Sequence, residues 1–102
     1  MNISEIIPIG KENSISRQYL LTLCREYGIA KSDREMRRLI QKERAKSCIL
    51  NLQDGSGYFR PTKDDLPELR HYVAQEMDRT LTILKNLKMA KNMLADMEVG
   101  RI

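Results

Sequence analysis

Apolar residues recur along this chain with two different periods, and the changes of period divide it into elements. In "SRQYLLTLCREYG", Leu20, Leu23, Cys24 and Tyr27 fall at i, i+3, i+4 and i+7 with Tyr19 alongside, which predicts a helix with one buried face. Ser16 suits its N-cap, and Gly28 suits the left-handed position that ends a helix. After the short connection "IAK", Ser32 opens a second helix in "SDREMRRLIQKERAK", with Glu35 three residues on to complete a capping box. Met36, Leu39 and Ile40 form its apolar face, while Arg34, Arg38, Gln41 and Ala45 fall opposite, flanked by Arg37 and Lys42. Glu43 lies near the apolar side, a misfit that an ion pair or the helix end would each explain. Two helices joined by so short a segment predict a helix-turn-helix unit.

The next stretch, "SCILNLQDGSGYFRPT", reads as a hairpin. It has an apolar strand from Cys48 to Leu52, a turn at Asp54-Gly55-Ser56-Gly57 and a returning strand from Tyr58 to Arg60. Asp-Gly between apolar runs favours this because glycine tolerates the positive φ of tight turns. A third strand is expected near Ile6 to Ile9 or Ser14 to Ile15, held to a sheet edge by Pro8.

Beyond Pro61 the period returns to that of a helix and stays there. Asp65 serves as the expected cap, Pro67 fits the first turn and Glu68 closes a capping box. Leu66, Leu69, Val73, Met77, Leu81, Leu84, Leu87, Leu94 and Met97 then follow at spacings built on three and four, towards Gly100. About 30 helical residues extend roughly 45 Å, more than a head of some 60 residues can cover. The expected division is therefore a head over residues 1–61 and a long helix over 62–102. Glu76, Thr80 and Lys91 interrupt a strict heptad, but the stripe still predicts a homodimer through Leu84, Leu87, Met93, Leu94 and Met97, because apolar surface left in water is costly. The competing expectation is a break near residues 85–92 with the chain folding back.

Composition narrows the class. Apolar residues make up 41% and charged residues 31% of 102 residues, with no Trp and Phe59 the only phenylalanine, so a small domain with an aliphatic core is expected. No run reaches the length of a membrane span, and "MNISEIIPIG" lacks the basic start and apolar stretch of a signal peptide; the expected location is cytoplasmic.

The net charge of +4 is unevenly placed. Residues 1–61 carry 11 basic and 7 acidic side chains, and residues 62–102 carry 7 of each. Within the first group, residues 31–46 hold seven basic and three acidic side chains, which equals the whole excess.

Little in the chain suits catalysis, and an enzyme is not expected. Cys24 and Cys48 lie in apolar sequence outside any CxxC pattern and read as buried thiols. The single histidine, His71, has no cysteine or second histidine near it in sequence, so neither a metal site nor a cofactor is expected. Asp33, Glu35, Asp64 and Asp65 sit at helix starts, where the macrodipole favours them. "DGSGYF" lacks the Lys-Ser/Thr and following helix of a phosphate loop.

The basic helix is the remaining candidate. In a helix-turn-helix the second helix enters the major groove of double-stranded DNA. Arg34 and Arg38 can each donate two hydrogen bonds to guanine, and Gln41 can pair with adenine. Arg37, Lys42 and Arg44 suit phosphates, as does Ser32 at the positive helix start.

The order of these elements resembles the winged helix-turn-helix family. "CILNLQDGSGYFRP" looks like the wing and "SDREMRRLIQKERAK" like the recognition helix. More narrowly, "GKENSIS", "SDREMRRLI" and the long trailing helix are similar to small winged-helix proteins of phages and prophages of Gram-positive bacteria. The resemblance implies an α+β, mainly α fold, with a winged helix-turn-helix head and a long C-terminal helix. It also implies wing residues, here Ser56, Tyr58 and Arg60, that reach the minor groove or backbone. The chain departs from the family in having little sequence before Ile6 for a first helix, a place the C-terminal helix would fill. The expected function is a dimeric DNA-binding regulator of transcription or replication of a phage or mobile element. The alternative is a phage-type interaction module or inhibitor that turns the same basic face on an acidic protein or nucleoprotein.

Overall fold

A computed structural model describes residues 1–52 and 54–101. The fold is mainly helical with one two-stranded antiparallel sheet and a long C-terminal helix, as the periodicities predict. Its helices are α1 (Ile3–Ile6), α2 (Arg17–Glu26), α3 (Asp33–Glu43) and α4 (Leu66–Glu98); the strands are β1 (Leu50–Leu52) and β2 (Gly57–Phe59). Two compact units divide the chain, Met1–Arg70 and His71–Ile102. The first thus extends past the expected boundary at residue 61, because the start of α4 is tied into it.

The tie is Asp65, which is buried. Its carboxylate accepts from the backbone N–H of Thr62 at 2.9 Å and from that of Lys11 at 3.3 Å. Thr62 and Asp65 form the capping box of a 3-10 turn over Lys63–Asp65 that leads into α4. The box expected between Asp65 and Glu68 is therefore replaced by one three residues earlier, since Asp65 spends its carboxylate backwards.

α2 forms as expected. Ser16 accepts from the N–H of Tyr19, and Gly28 ends the turn at φ +69°. Its buried face is narrower than predicted, however. Leu20 and Cys24 are fully buried, but Tyr19 and Tyr27 are exposed. The reason lies in what packs on it: α1, α3 and β2 gather on the Leu20/Cys24 side, and Leu21 and Leu23 are left half-buried beside them. The Arg25 guanidinium donates to the carbonyl of Lys31 at 2.9 Å, closing the turn between α2 and α3.

At the start of α3, Ser32 Oγ accepts from the N–H of Glu35. The return half of the predicted box is displaced by one residue, for Glu35 accepts from the N–H of Lys31 at 3.2 Å. Glu43 proves to be no ion pair. It accepts from Asn2 at 3.1 Å and from Ser47 at 3.3 Å, joining the start of α1 to the end of α3. That short α1, a single turn, was not expected; Asn2 caps it and Ile3 is buried beneath it.

The core gathers Ile3, Ile7, Leu20, Cys24, Ala30, Met36, Ile40, Ile49 and Tyr58. Cys48 lies outside it, exposed, since burial begins only at Ile49. β1 is shorter than predicted and β2 is shifted back by one residue, and Leu50 pairs with Phe59, Asn51 with Tyr58 and Leu52 with Gly57. In place of a third strand, two single bridges flank β2: Ile15 opposite Tyr58, and Ile9 beside Arg60. Gly57 makes the first possible. It lies at φ +94°, and a Cβ there would collide with the carbonyl oxygen of Ile15.

Candidate nucleic-acid interface

α3 has two opposed faces. Met36 and Ile40 are 0% and 2% exposed, and a helix so anchored must turn its remaining positions outward. Arg34, Arg38, Gln41 and Ala45 are all exposed, as are Arg37 and Lys42 beside them. Five of the ten residues expected at a DNA surface, Arg34, Arg37, Arg38, Gln41 and Lys42, thus share one accessible helix surface. Ser32 is exposed at the start of the same helix, its hydroxyl oxygen already engaged by the Glu35 N–H.

The other four are placed differently. Arg44 is half-buried, and its Nε donates to the carbonyl of Ile49 at 3.1 Å. Arg60 donates from Nε to the carbonyl of Ile7 at 2.8 Å. Both guanidinium groups therefore brace backbone within the head. Tyr58, expected on the wing surface, is only 5% exposed and belongs to the core; in a strand flanked on both sides, its side chain has been drawn inward. Ser56 is half-buried and donates from its backbone N–H and its hydroxyl to Asp54, at 2.9 and 2.6 Å.

The hairpin end is built around Asp54. Ser56 donates to Asp54 through its hydroxyl and its N–H, and Lys11 adds an ion pair at 3.2 Å. Together these hold the carboxyl at a pKa of about 2, below the ordinary 3.8. Its charge is matched by that of Lys11, so the hairpin end adds no net positive charge and the basic surface is that of α3.

One contributor escaped the sequence reading. Asp33 Oδ2 lies 2.9 Å from Arg37 Nε, and its Oδ1 lies 3.3 Å from Arg17 Nε at the start of α2. Asp33 thereby brings a cation from α2 beside the basic face of α3. Only the packing of the two helices creates this neighbourhood; no spacing along the chain announces it. Surface pairs of this kind add little stability, about 0–1 kcal/mol, but they restrict where the two guanidinium groups lie.

Where α1 meets the far end of α3, an open cleft of about 540 Å³ has Ile3, Tyr27, Ile29 and Leu39 among its lining residues, together with Lys42 and Lys46. The basic helix therefore borders a partly apolar recess.

The expected dimer residues lie on α4, which runs unbroken from Leu66 to Glu98 without the break considered near residues 85–92. Leu84, Leu87, Leu94 and Met97 are exposed along a drifting stripe. Met93 is exposed too, beside Met97 four residues on and about half a turn from Leu84. No α-helix among the described residues is long and apolar enough to cross a membrane. Compared with known proteins, the chain matches no family model, no curated protein and no solved structure.

Proposed function

We propose that the chain is a DNA-binding protein of winged helix-turn-helix type, acting as a dimeric regulator of transcription or replication for a phage or mobile element. The observation that carries this reading is the division of α3, with Met36 and Ile40 buried and Arg34, Arg38 and Gln41 exposed on the other side. A helix anchored this way presents bidentate donors for guanine and an amide for adenine when it enters the major groove. Arg37, Lys42 and Arg17, exposed beside that face, would take the flanking phosphates and supply affinity without sequence information. The exposed α4 stripe supplies the surface for a second subunit.

Titration of duplex DNA at two salt concentrations tests the proposal. With about three phosphate contacts per protomer, about six for the dimer, affinity falls by roughly a thousandfold between 50 and 200 mM salt. Absence of duplex binding at low salt would exclude the reading.

The alternative, an interaction module that sets the same face on an acidic protein, draws support from two features. The hairpin end, where Lys11 is paired with Asp54, adds no net positive charge, and the partly apolar cleft beside Lys42 and Lys46 suits a protein side chain better than a phosphate. Binding to an acidic protein with no affinity for duplex DNA would favour it.

A further inference from the structure

The second unit consists chiefly of α4, and an apolar band runs along it. Val73, Met77, Ile83, Leu84, Leu87 and Leu94 are all exposed, so this band has its largest apolar side chains in solvent. Followed at the repeat of 3.5 residues that paired helices adopt, the band resolves into three columns. Val73, Thr80, Leu87 and Leu94 form the centre; Glu76, Ile83, Ala90 and Met97 lie on one side; Met77, Leu84 and Lys91 lie on the other. The band is thus apolar apart from Glu76, Thr80 and Lys91.

Charge is also segregated along the helix. Glu76 and Asp78 precede Lys85, Lys88 and Lys91, with Arg79 between the two groups. Glu76 holds Arg79 at 2.9 Å through one carboxylate oxygen.

From this layout we propose that a second copy of the chain pairs along α4 in the antiparallel sense, centred near Ile83 and Leu84. The inference rests on the dimer in the function proposed above and specifies its geometry. A parallel, in-register pair sets Glu76 against the partner's Glu76 and Lys91 against the partner's Lys91 inside the band; like charges so placed are destabilising. The antiparallel pair removes both conflicts. Val73 then faces the partner's Leu94, Thr80 faces the partner's Leu87, and Ile83 and Leu84 each meet their own copies at the centre. Glu76 lies over the partner's Ala90, a small residue that leaves it room, and within reach of the partner's Lys91. By symmetry that charge pairing occurs twice. The acidic stretch of each helix overlies the basic stretch of the other.

Disulfide trapping in the full-length chain with Cys48→Ser, which removes the exposed thiol and keeps the buried Cys24, tests the orientation. Ile83→Cys crosslinks to itself at the centre of the pair. Val73→Cys alone and Leu94→Cys alone stay uncrosslinked, whereas a mixture of the two forms a covalent heterodimer. Val73→Cys crosslinking to itself overturns the orientation while leaving the dimer intact. A monomeric mass in sedimentation at tens of micromolar protein overturns the dimer as well; duplex binding, measured separately, reports on the DNA reading. As a second measurement, Glu76→Lys should weaken the dimer roughly threefold to tenfold by facing the partner's Lys91 with like charge, and adding Lys91→Glu should restore it. An unchanged dimer constant for Glu76→Lys overturns the proposal.

Discussion

Gly57 shows how one residue can carry a junction. Its φ of +94° and the closeness of Ile15's carbonyl leave no space for a side chain, and the bridge between Ile15 and Tyr58 depends on that approach. Gly57→Ala is expected to lower stability by about 2–4 kcal/mol, measured by urea denaturation. The arginines of α3 and its C-cap divide in a similar way. Arg38 is exposed, whereas Arg44 donates to the carbonyl of Ile49. Arg38→Ala should weaken duplex binding and relax base preference with stability unchanged. Arg44→Ala should instead cost about 1–2 kcal/mol of stability. Reversal of these two outcomes, read from a melting curve and a binding titration, would remove α3's outward face as the site. Arg44 and Arg38 look alike in the sequence, since both belong to one run of cations. What separates them is the backbone of Ile49, which only the turn into β1 brings within reach.

At the scale of elements, the hairpin differs most from expectation. Its existence and turn were legible from Asp-Gly between apolar runs, but its role as a second DNA-contacting element was not supported by where its side chains lie. Tyr58 is core, Arg60 braces the carbonyl of Ile7, and Asp54 remains charged. The turn should consequently respond to acid. Because Asp54 has its folded-state pKa depressed from 3.8 to about 2, the stabilisation it gives is complete above the unfolded value and is lost as pH falls through the folded one. The Ser56 amide, followed by NMR, should therefore shift between about pH 4 and pH 2, and Asp54→Asn should abolish that shift. α2 and α3 were far more legible, because caps and a 3.6-residue period act locally: Ser16, Gly28 and Ser32 all hold the positions their chemistry suggests. The displaced half-box at Glu35 and the cap at Thr62 instead of Asp65 depend on which of several nearby N–H groups is left without a partner.

For the whole molecule, the length of α4 and the exposure of its stripe bear on assembly. Ending the chain before Lys85 removes Leu87, Leu94 and Met97, and should convert the dimer into a monomer while the far-UV signature of the head's helices persists. A truncated chain with the full chain's subunit number would refute pairing through this helix. The sequence by itself determined the mainly helical class, the order of α2, α3, the hairpin and α4, the opposed faces of α3 and the apolar stripe of α4. Each of these follows from periodicity, capping or local charge, which act over a few residues. Only tertiary structure decided that Tyr58 is buried, that Arg44 and Arg60 serve the backbone, that Arg17 joins Arg37 through Asp33, and that the head reaches to Arg70. Those outcomes depend on residues far apart in the chain competing for the same neighbours, and the winner is set by which groups packing leaves buried and in need of a partner.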